Sequence, residues 1–175
     1  MHLADETITL LPFDESDFEL FLEISTCPQI MRHVGKTLTY DEVKLIFKIR
    51  LQPWNRQSDG WLLFCITEIA NGEKLGSIGL RILNHDAKIA EIGFLIRVKA
   101  QGRGIANSAL TILKEYAYYK LTINKLVAFC SVDNLSSYKL LEKQGFVREG
   151  CLKQNNFINN QYTDDYIYGL CKSAL

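Results

Sequence analysis

The sequence predicts an α+β domain of about seven strands and about four helices, organised around an antiparallel meander. Three observations predict it. Residues 61–97 read as three strands in succession with tight turns between them. Apolar residues at helical spacing come both before that meander and directly after it. Beyond residue 125 a strand, a helix and two more strands close the chain. At 175 residues the chain fits one domain with a full core. It holds no repeat, low-complexity tract or internal linker, so residues 1–175 form a single domain with its core at about 7–172.

The elements follow in order. Thr7 to Leu11 is a short strand ended by Pro12. Asp14 or Ser16 caps the next helix, whose apolar face carries Phe18, Phe21, Leu22 and Ile24, and Pro28 interrupts it. Thr39-Tyr40-Asp41-Glu42 opens a second helix through Val43, Ile46, Phe47 and Ile49, which stops near Pro53. Gln52 to Gly60 is a polar loop. In the meander, Trp61 to Ile69 turns at Asn71-Gly72, a hairpin signal, into Leu75 to Leu83. Asn84-His85-Asp86 then leads into Lys88 to Arg97. A helix over about 104–120 gathers Ile105, Ala109, Ile112, Leu113 and Ala117 on one face. Lys125 to Val132 is a strand, Asn134 to Gln144 a helix, Phe146 to Leu152 a strand and Tyr162 to Leu170 the last strand. The Asn-rich run Gln154 to Gln161 reads as a turn.

Composition narrows the function classes. Lys+Arg and Asp+Glu both number 20, so no net charge invites a nucleic acid. The apolar runs fall far short of the ~20 residues a membrane helix needs, and the first residues lack a signal peptide's basic start and apolar core. Cys27, Cys65, Cys130, Cys151 and Cys171 are odd in number and widely spaced, which predicts buried free thiols in a reducing cytoplasm. His2, His33 and His85 are too scattered for a metal site, so no metal is expected.

Chemistry concentrates at Gln101-Gly102-Arg103-Gly104-Ile105-Ala106. A strand, a two-glycine turn and a helix start make a phosphate cradle, because unobstructed amides and the helix dipole point at one spot. Arg103 can add a formal charge there, and the ligand implied is a pyrophosphate. A nucleotide-triphosphate loop would need Gly-Lys-Ser/Thr, which is missing. A dinucleotide fingerprint would need a third glycine where Asn107 and Ser108 stand, and a parallel series before it rather than a meander. A tight turn that merely uses glycine for positive φ is the remaining alternative.

A second cluster completes the pattern. Asp133-Asn134-Leu135-Ser136-Ser137 lies where a strand gives way to a helix, and Glu142-Lys143-Gln144-Gly145-Phe146 closes that helix. Together the two clusters resemble the GNAT superfamily of acetyl-CoA-dependent N-acetyltransferases. That superfamily's pyrophosphate motif, Gln/Arg-x-x-Gly-x-Gly/Ala, is matched by Gln101, Gly104 and Ala106. Its second motif, Asn-x-x-Ser/Ala followed by Glu-Lys-x-Gly-Phe, is matched by Asn134, Ser137, Glu142, Lys143, Gly145 and Phe146. The branch most similar is the RimJ/RimL type of ribosomal-protein N-terminal acetyltransferases. Its likeness extends to Ala90-Glu91-Ile92-Gly93-Phe94, to Glu149-Gly150 and to a late Asp, Asp164 or Asp165.

The resemblance implies a GNAT fold: a mixed sheet in which the strand ending near Arg97 and the strand Lys125 to Val132 run parallel and splay apart. Acetyl-CoA is the implied cosubstrate, its pantetheine arm lying between those strands and pairing with the backbone of about Leu95, Ile96 and Val98. The amides of Gln101, Gly102, Arg103, Gly104, Ile105 and Ala106 would hold the pyrophosphate, and the Asn134 side chain would bond to the pantetheine. Arg103 and Lys143 either meet phosphates or are solvated surface charges.

Acetyl transfer to an amine needs a proton acceptor, a donor to the oxyanion and a partner for the departing thiolate. A free amide near Leu95 or Ile96 would serve the oxyanion. Many relatives place a Tyr seven residues after the motif Asn, where this chain has Leu141. Ser137 is the implied substitute, or else it only bonds its own backbone; Tyr138 is expected to point away. Strand alternation puts Glu91, Gly93 and Leu95 on one face, so Glu91 is the candidate base if that face meets the acceptor. Glu68 is the weaker alternative. Trp61 reads as a packing residue, Trp54 as a packing residue or a lining of the acceptor mouth, and His33 either borders the acceptor or is a loop histidine. Cys130 reads as a buried inert thiol. The expected acceptor is a protein N-terminal α-amine, then a small amine such as a polyamine, aminoglycoside or metabolite. A homodimer fits the likeness, and an acyl-CoA-binding module without turnover is the rival class.

Overall fold

The computed structural model describes residues 3–174, so His2 lies outside the described residues. Seven strands form one sheet in the order β1-β2-β3-β4-β5-β7-β6. They are β1 (Ile8–Pro12), β2 (Leu62–Glu68), β3 (Lys74–Asn84), β4 (Ile89–Ile96), β5 (Lys125–Ser131), β6 (Val147–Ile158) and β7 (Gln161–Cys171). Every neighbouring pair is antiparallel except β4 and β5. The helices are α1 (Phe18–Thr26), α2 (Pro28–Met31), α3 (Tyr40–Arg50), α4 (Ile105–Glu115) and α5 (Leu135–Lys143). The short α2 is the one beyond the four expected: Pro28 ends α1 and opens a new turn as its first residue.

Strand alternation divides the core in two. Phe64 and Ile66 of β2 and Ala90, Ile92 and Ile96 of β4 pack with Ile105, Leu110, Leu113 and Leu141 under α4 and α5. On the opposite face Cys65 and Leu95 pack with Leu20, Phe21, Ile24, Val43 and Phe47 under α1 and α3. The sheet is thus covered on both sides, α1–α3 on one and α4–α5 on the other.

Local chemistry sets where the helices start. Asp14 accepts from the Ser16 amide at 2.8 Å and Asp17 accepts from the Asp14 amide at 2.9 Å, so Asp14 is the residue that caps the short turn leading into α1. Thr39 and Glu42 form the same reciprocal box at α3. α4 loosens at its end into a π-helical turn, Tyr116–Lys120, where the Leu121 amide reaches Tyr116 O. That turn sends Tyr118 into the core, and its hydroxyl donates to Leu170 O at 2.7 Å.

The expected turn over Gln154 to Gln161 is corrected. β6 continues through a bulge to Ile158, and Asn159-Asn160, at φ of 52° and 61°, make the true two-residue turn. The bulge is held from across the hairpin. Asp164 accepts from the Gln154 amide and Lys153 Nζ, and Asp165 accepts from Asn155 and Asn156. No helix among the described residues is long and apolar enough to cross a membrane.

Candidate active site

β4 and β5 are paired only over Ile89 to Glu91 and Lys125 to Val127. Past Glu91 and Val127 each strand keeps its other neighbour, β3 or β7, and the two diverge. Glu91 therefore sits at the vertex of a V that opens toward the carboxyl ends of a parallel pair, a position where open sheets bind ligands.

The backbone that lines the β4 side of the V can be read from its other bonds. The Arg97 amide donates to Leu75 O at 2.9 Å, on the β3 side. Alternation turns Leu95 the same way and turns Phe94 and Ile96 toward the V. Of the two amides named for the oxyanion, Ile96 presents its backbone to the V and Leu95 does not.

At the top of β4 a short turn through Val98 leads to the cradle. The Gln101 amide donates to Val98 O and its side chain donates to Ile96 O at 3.0 Å, so Gln101 braces the loop with both groups. Gly102 and Gly104 have φ of 73° and 81°, the left-handed region that favours glycine, and a Cβ at either would meet nothing within 4 Å. Ser108 is the first residue of α4 whose amide bonds to the backbone, at Gly104 O. The amides of residues 102–107 make no such bond among the described residues, which leaves a run of donors at a helix N-terminus. Those donors and the open V suit a pyrophosphate with an extended arm. Arg103 is paired with Glu68, which also accepts from Asn71. This puts Glu68, the alternative base, beside the cradle and away from the vertex.

The second motif meets the first across the V. Asn134 caps α5, its Oδ1 accepting from the Ser137 amide at 3.2 Å and the Ser136 hydroxyl at 3.0 Å, and its amide nitrogen remains available to donate. The Ser137 hydroxyl lies beside the Cys130 thiol, whose pKa burial pushes up, so Cys130 stays protonated. Leu141 is buried in the core. Tyr138 stacks edge-on to Tyr166, and Arg148 lies 3.8 Å over the Tyr166 ring. Glu142 accepts from Tyr168 and Arg148, a structural role for that motif residue. Gln144 donates to Asn107 Oδ1 at 2.9 Å and so ties the end of α5 to the first turn of α4. Lys143, its neighbour, is exposed and makes no hydrogen bond or ion pair among the described residues.

On the helix α3 side, Arg81 of β3 binds Glu91, with Nε and Nη2 each 2.7 Å from Oε2. Glu91 Oε1 bears no protein hydrogen bond among the described residues. Gly93 is small because the Trp61 ring covers it: an added Cβ would meet Cη2 at 3.0 Å and Cζ3 at 3.3 Å. Arg81 and Arg50 stand over that ring at 5.4 and 5.7 Å. Sequence reading missed this cluster because its members come from α3, the β2 entrance and β3. Trp54 instead packs on the main core and donates to Gly60 O. His33 is half-buried; burial holds its pKa down, Arg32 adds to that, and Asp133 opposes it, which puts the end of α2 close to the end of β5. A separate cavity of about 280 Å³, lined by Arg56, Ile82, His85, Lys88 and Thr122, lies at the far end of β4 from the cradle and touches none of these groups.

A family model described as an acetyltransferase (GNAT) domain matches residues 7–147. Ribosomal-protein-serine acetyltransferase of Escherichia coli (strain K12) is 35% identical over 96 residues, 55% of this chain and 54% of that protein. Spermidine N(1)-acetyltransferase of Vibrio cholerae is 30% identical over 99 residues, 57% of each chain. Both alignments span little more than half of the relative's length. The crystal structure of spermidine N-acetyltransferase from Vibrio cholerae, in complex with CoA and spermine, superposes with a TM-score of 0.86 at 22% identity, covering 97% of this chain and 98% of that one. At that identity the shared property is the fold. With the split sheet and the amide cradle inside the matched span, the chain belongs to the GNAT acetyltransferases, a family that carries acetyl from acetyl-CoA to amines.

Proposed function

We propose that this chain acetylates the N-terminal α-amine of a protein, in the manner of the RimJ/RimL branch, by direct transfer in a ternary complex. What supports it is that β4 and β5 stop pairing past Glu91 and that the amide run 102–107 follows the end of β4. Likeness to a ribosomal-protein-serine acetyltransferase supports the choice of acceptor.

Acetyl-CoA supplies the activated acyl group and a thiol leaving group. The amides of Gly102 to Ala106 bind the pyrophosphate, and Val98 binds along the arm with its backbone amide, the Ile96 carbonyl being held by Gln101. Leu95 contributes packing behind β4, and Gln101 holds the loop in shape. The Asn134 amide nitrogen donates to the arm. Arg103 reaches a phosphate by leaving Glu68, and Lys143 does so from the end of α5. Glu91 takes the ammonium proton through water at Oε1 while Arg81 fixes Oε2. The Ile96 amide donates to the developing oxyanion. The Ser137 hydroxyl donates to the departing sulfur, the task that Leu141 cannot perform.

The small-amine reading has one observation behind it, the spermidine acetyltransferase relatives. A polyamine needs carboxylates to bind it, yet Asp164 and Asp165 are engaged by Lys153, Gln154, Asn155 and Asn156. The test is thiol release from acetyl-CoA over a panel of N-terminal peptides, spermidine, aminoglycosides and amino acids. Turnover with peptides is expected. Exclusive turnover with small amines refutes the proposed acceptor, and acetyl-CoA binding with no turnover on any acceptor identifies a binding module.

A further inference from the structure

The acceptor side of the vertex carries more positive charge than its neighbours balance. Arg81 is matched by Glu91. Arg50, the last residue of α3, is half-buried and makes no hydrogen bond or ion pair among the described residues. Burial and then the nearby Arg81 both lower its pKa, and among the described residues no carboxylate acts on it in return. The Trp61 ring holds both guanidinium groups, and that ring lies on Gly93, two residues from Glu91 on the same face of β4.

Packing alone does not account for Arg50. Two guanidinium groups beside one aromatic ring repel each other, and neither the ring nor Arg81 offers the Arg50 fork an acceptor. The ring does, however, hold the Arg50 guanidinium beside Arg81, and a guanidinium fork can grip a carboxylate with two parallel bonds. Trp61, which covers Gly93, and Arg81, which binds Glu91, put the fork on the same side of β4 as the carboxylate proposed to take the amine proton.

We propose that Arg50, held over Trp61 beside Arg81, anchors a carboxylate of the acceptor, so that the preferred substrate is an amine with an acidic group close by: a peptide N-terminus with Asp or Glu at its first or second residue. This rests on the function proposed above. Free dicarboxylic amino acids present the same chemistry from another source, and polyamines are repelled.

The test measures kcat/KM at fixed acetyl-CoA for peptides that differ only in Asp/Glu, Asn/Gln or Lys at residues 1 and 2. Aspartate, glutamate and spermidine are included, and peptide binding in the presence of CoA is followed by calorimetry. Acidic peptides should exceed their amide counterparts by about 10–100-fold, mainly through KM, the range of one charged hydrogen-bonded pair. Arg50→Ala should abolish that preference, Arg50→Lys should keep part of it, and Arg50→Glu should move it toward Lys peptides. A thermal shift with acetyl-CoA checks that each variant is folded.

Peptides acetylated with no acidic preference, or with a preference that Arg50 variants leave unchanged, overturn the anchor and leave the proposed function standing. Turnover of free Asp and Glu alone keeps the anchor and refutes the protein N-terminus. Turnover of spermidine alone refutes both. In a chain that turns nothing over, the calorimetric preference decides the anchor in the same way.

Discussion

Gly104 joins two demands in one residue: a φ of 81° and a place at the mouth of the amide run. The two separate by substitution. Gly104→Ala puts a Cβ into open space and should lose only about 1–2 kcal/mol to left-handed strain. Gly104→Glu sets a carboxylate against the pyrophosphate and should abolish acetyl-CoA binding by calorimetry. Near-native affinity in the Glu variant would move the donor site elsewhere. Ser137→Ala should lower turnover while acetyl-CoA affinity is retained, because the cap is made by the Asn134 side chain and the Ser137 backbone. Unchanged turnover would leave Ser137 as a packing residue beside Cys130. Both glycines, Asn134 and Ser137 were legible in the sequence, since local backbone demands and motif spacing mark them. Arg50, Trp61 and Arg81 were not, because only tertiary structure brings them together.

Helix α3 shows how an element's stability is written in its first turn. Glu42 accepts from Lys36, the Thr39 amide and the Thr39 hydroxyl. Chiefly the Lys36 bond, then the Thr39 amide, lower its pKa from 4.5 to about 2. A carboxyl depressed in the folded state stabilises above its unfolded pKa and loses that contribution as pH falls through the folded value. Glu42→Gln should therefore lower the urea midpoint at pH 7, with the gap to wild type closing between about pH 4.5 and 2. A gap that is constant with pH would assign the effect to packing. The strands were read to within a few residues from alternation and turn signals, except the second half of β6. Its Asn-rich run looks like a loop because its hydrogen-bond acceptors, Asp164 and Asp165, come from the opposite strand ten residues on.

For the whole molecule, the donor should act as a clamp between the two halves of the sheet. β1–β4 and β5–β7 are joined directly by three residue pairs, Ile89 to Glu91 with Lys125 to Val127. Acetyl-CoA at 100 times its Kd should add about 2.7 kcal/mol of stability, a Tm rise of roughly 5–11 °C for a chain of this size. NAD at the same concentration should give no rise, and a larger rise with NAD would overturn the donor assignment. The fold class was legible because the meander and the later strand–helix–strand order each leave their own period in the sequence. The V itself was reached only through family likeness, since nothing in the spacing of apolar residues says that two parallel strands stop pairing after Glu91.

That V has a further consequence for solubility. Strands with unpaired amides and carbonyls normally template aggregation when they stand at the rim of a sheet. Phe94 carries such groups in mid-sheet, and Ile96 its amide, its carbonyl being held by Gln101; both are walled on the far side by β5 and β7. A polypeptide approaching from outside meets these walls first, whereas a slim, flexible thread can slide in lengthwise. The same divergence that makes room for a ligand's arm thus hides a sticky strand from other proteins.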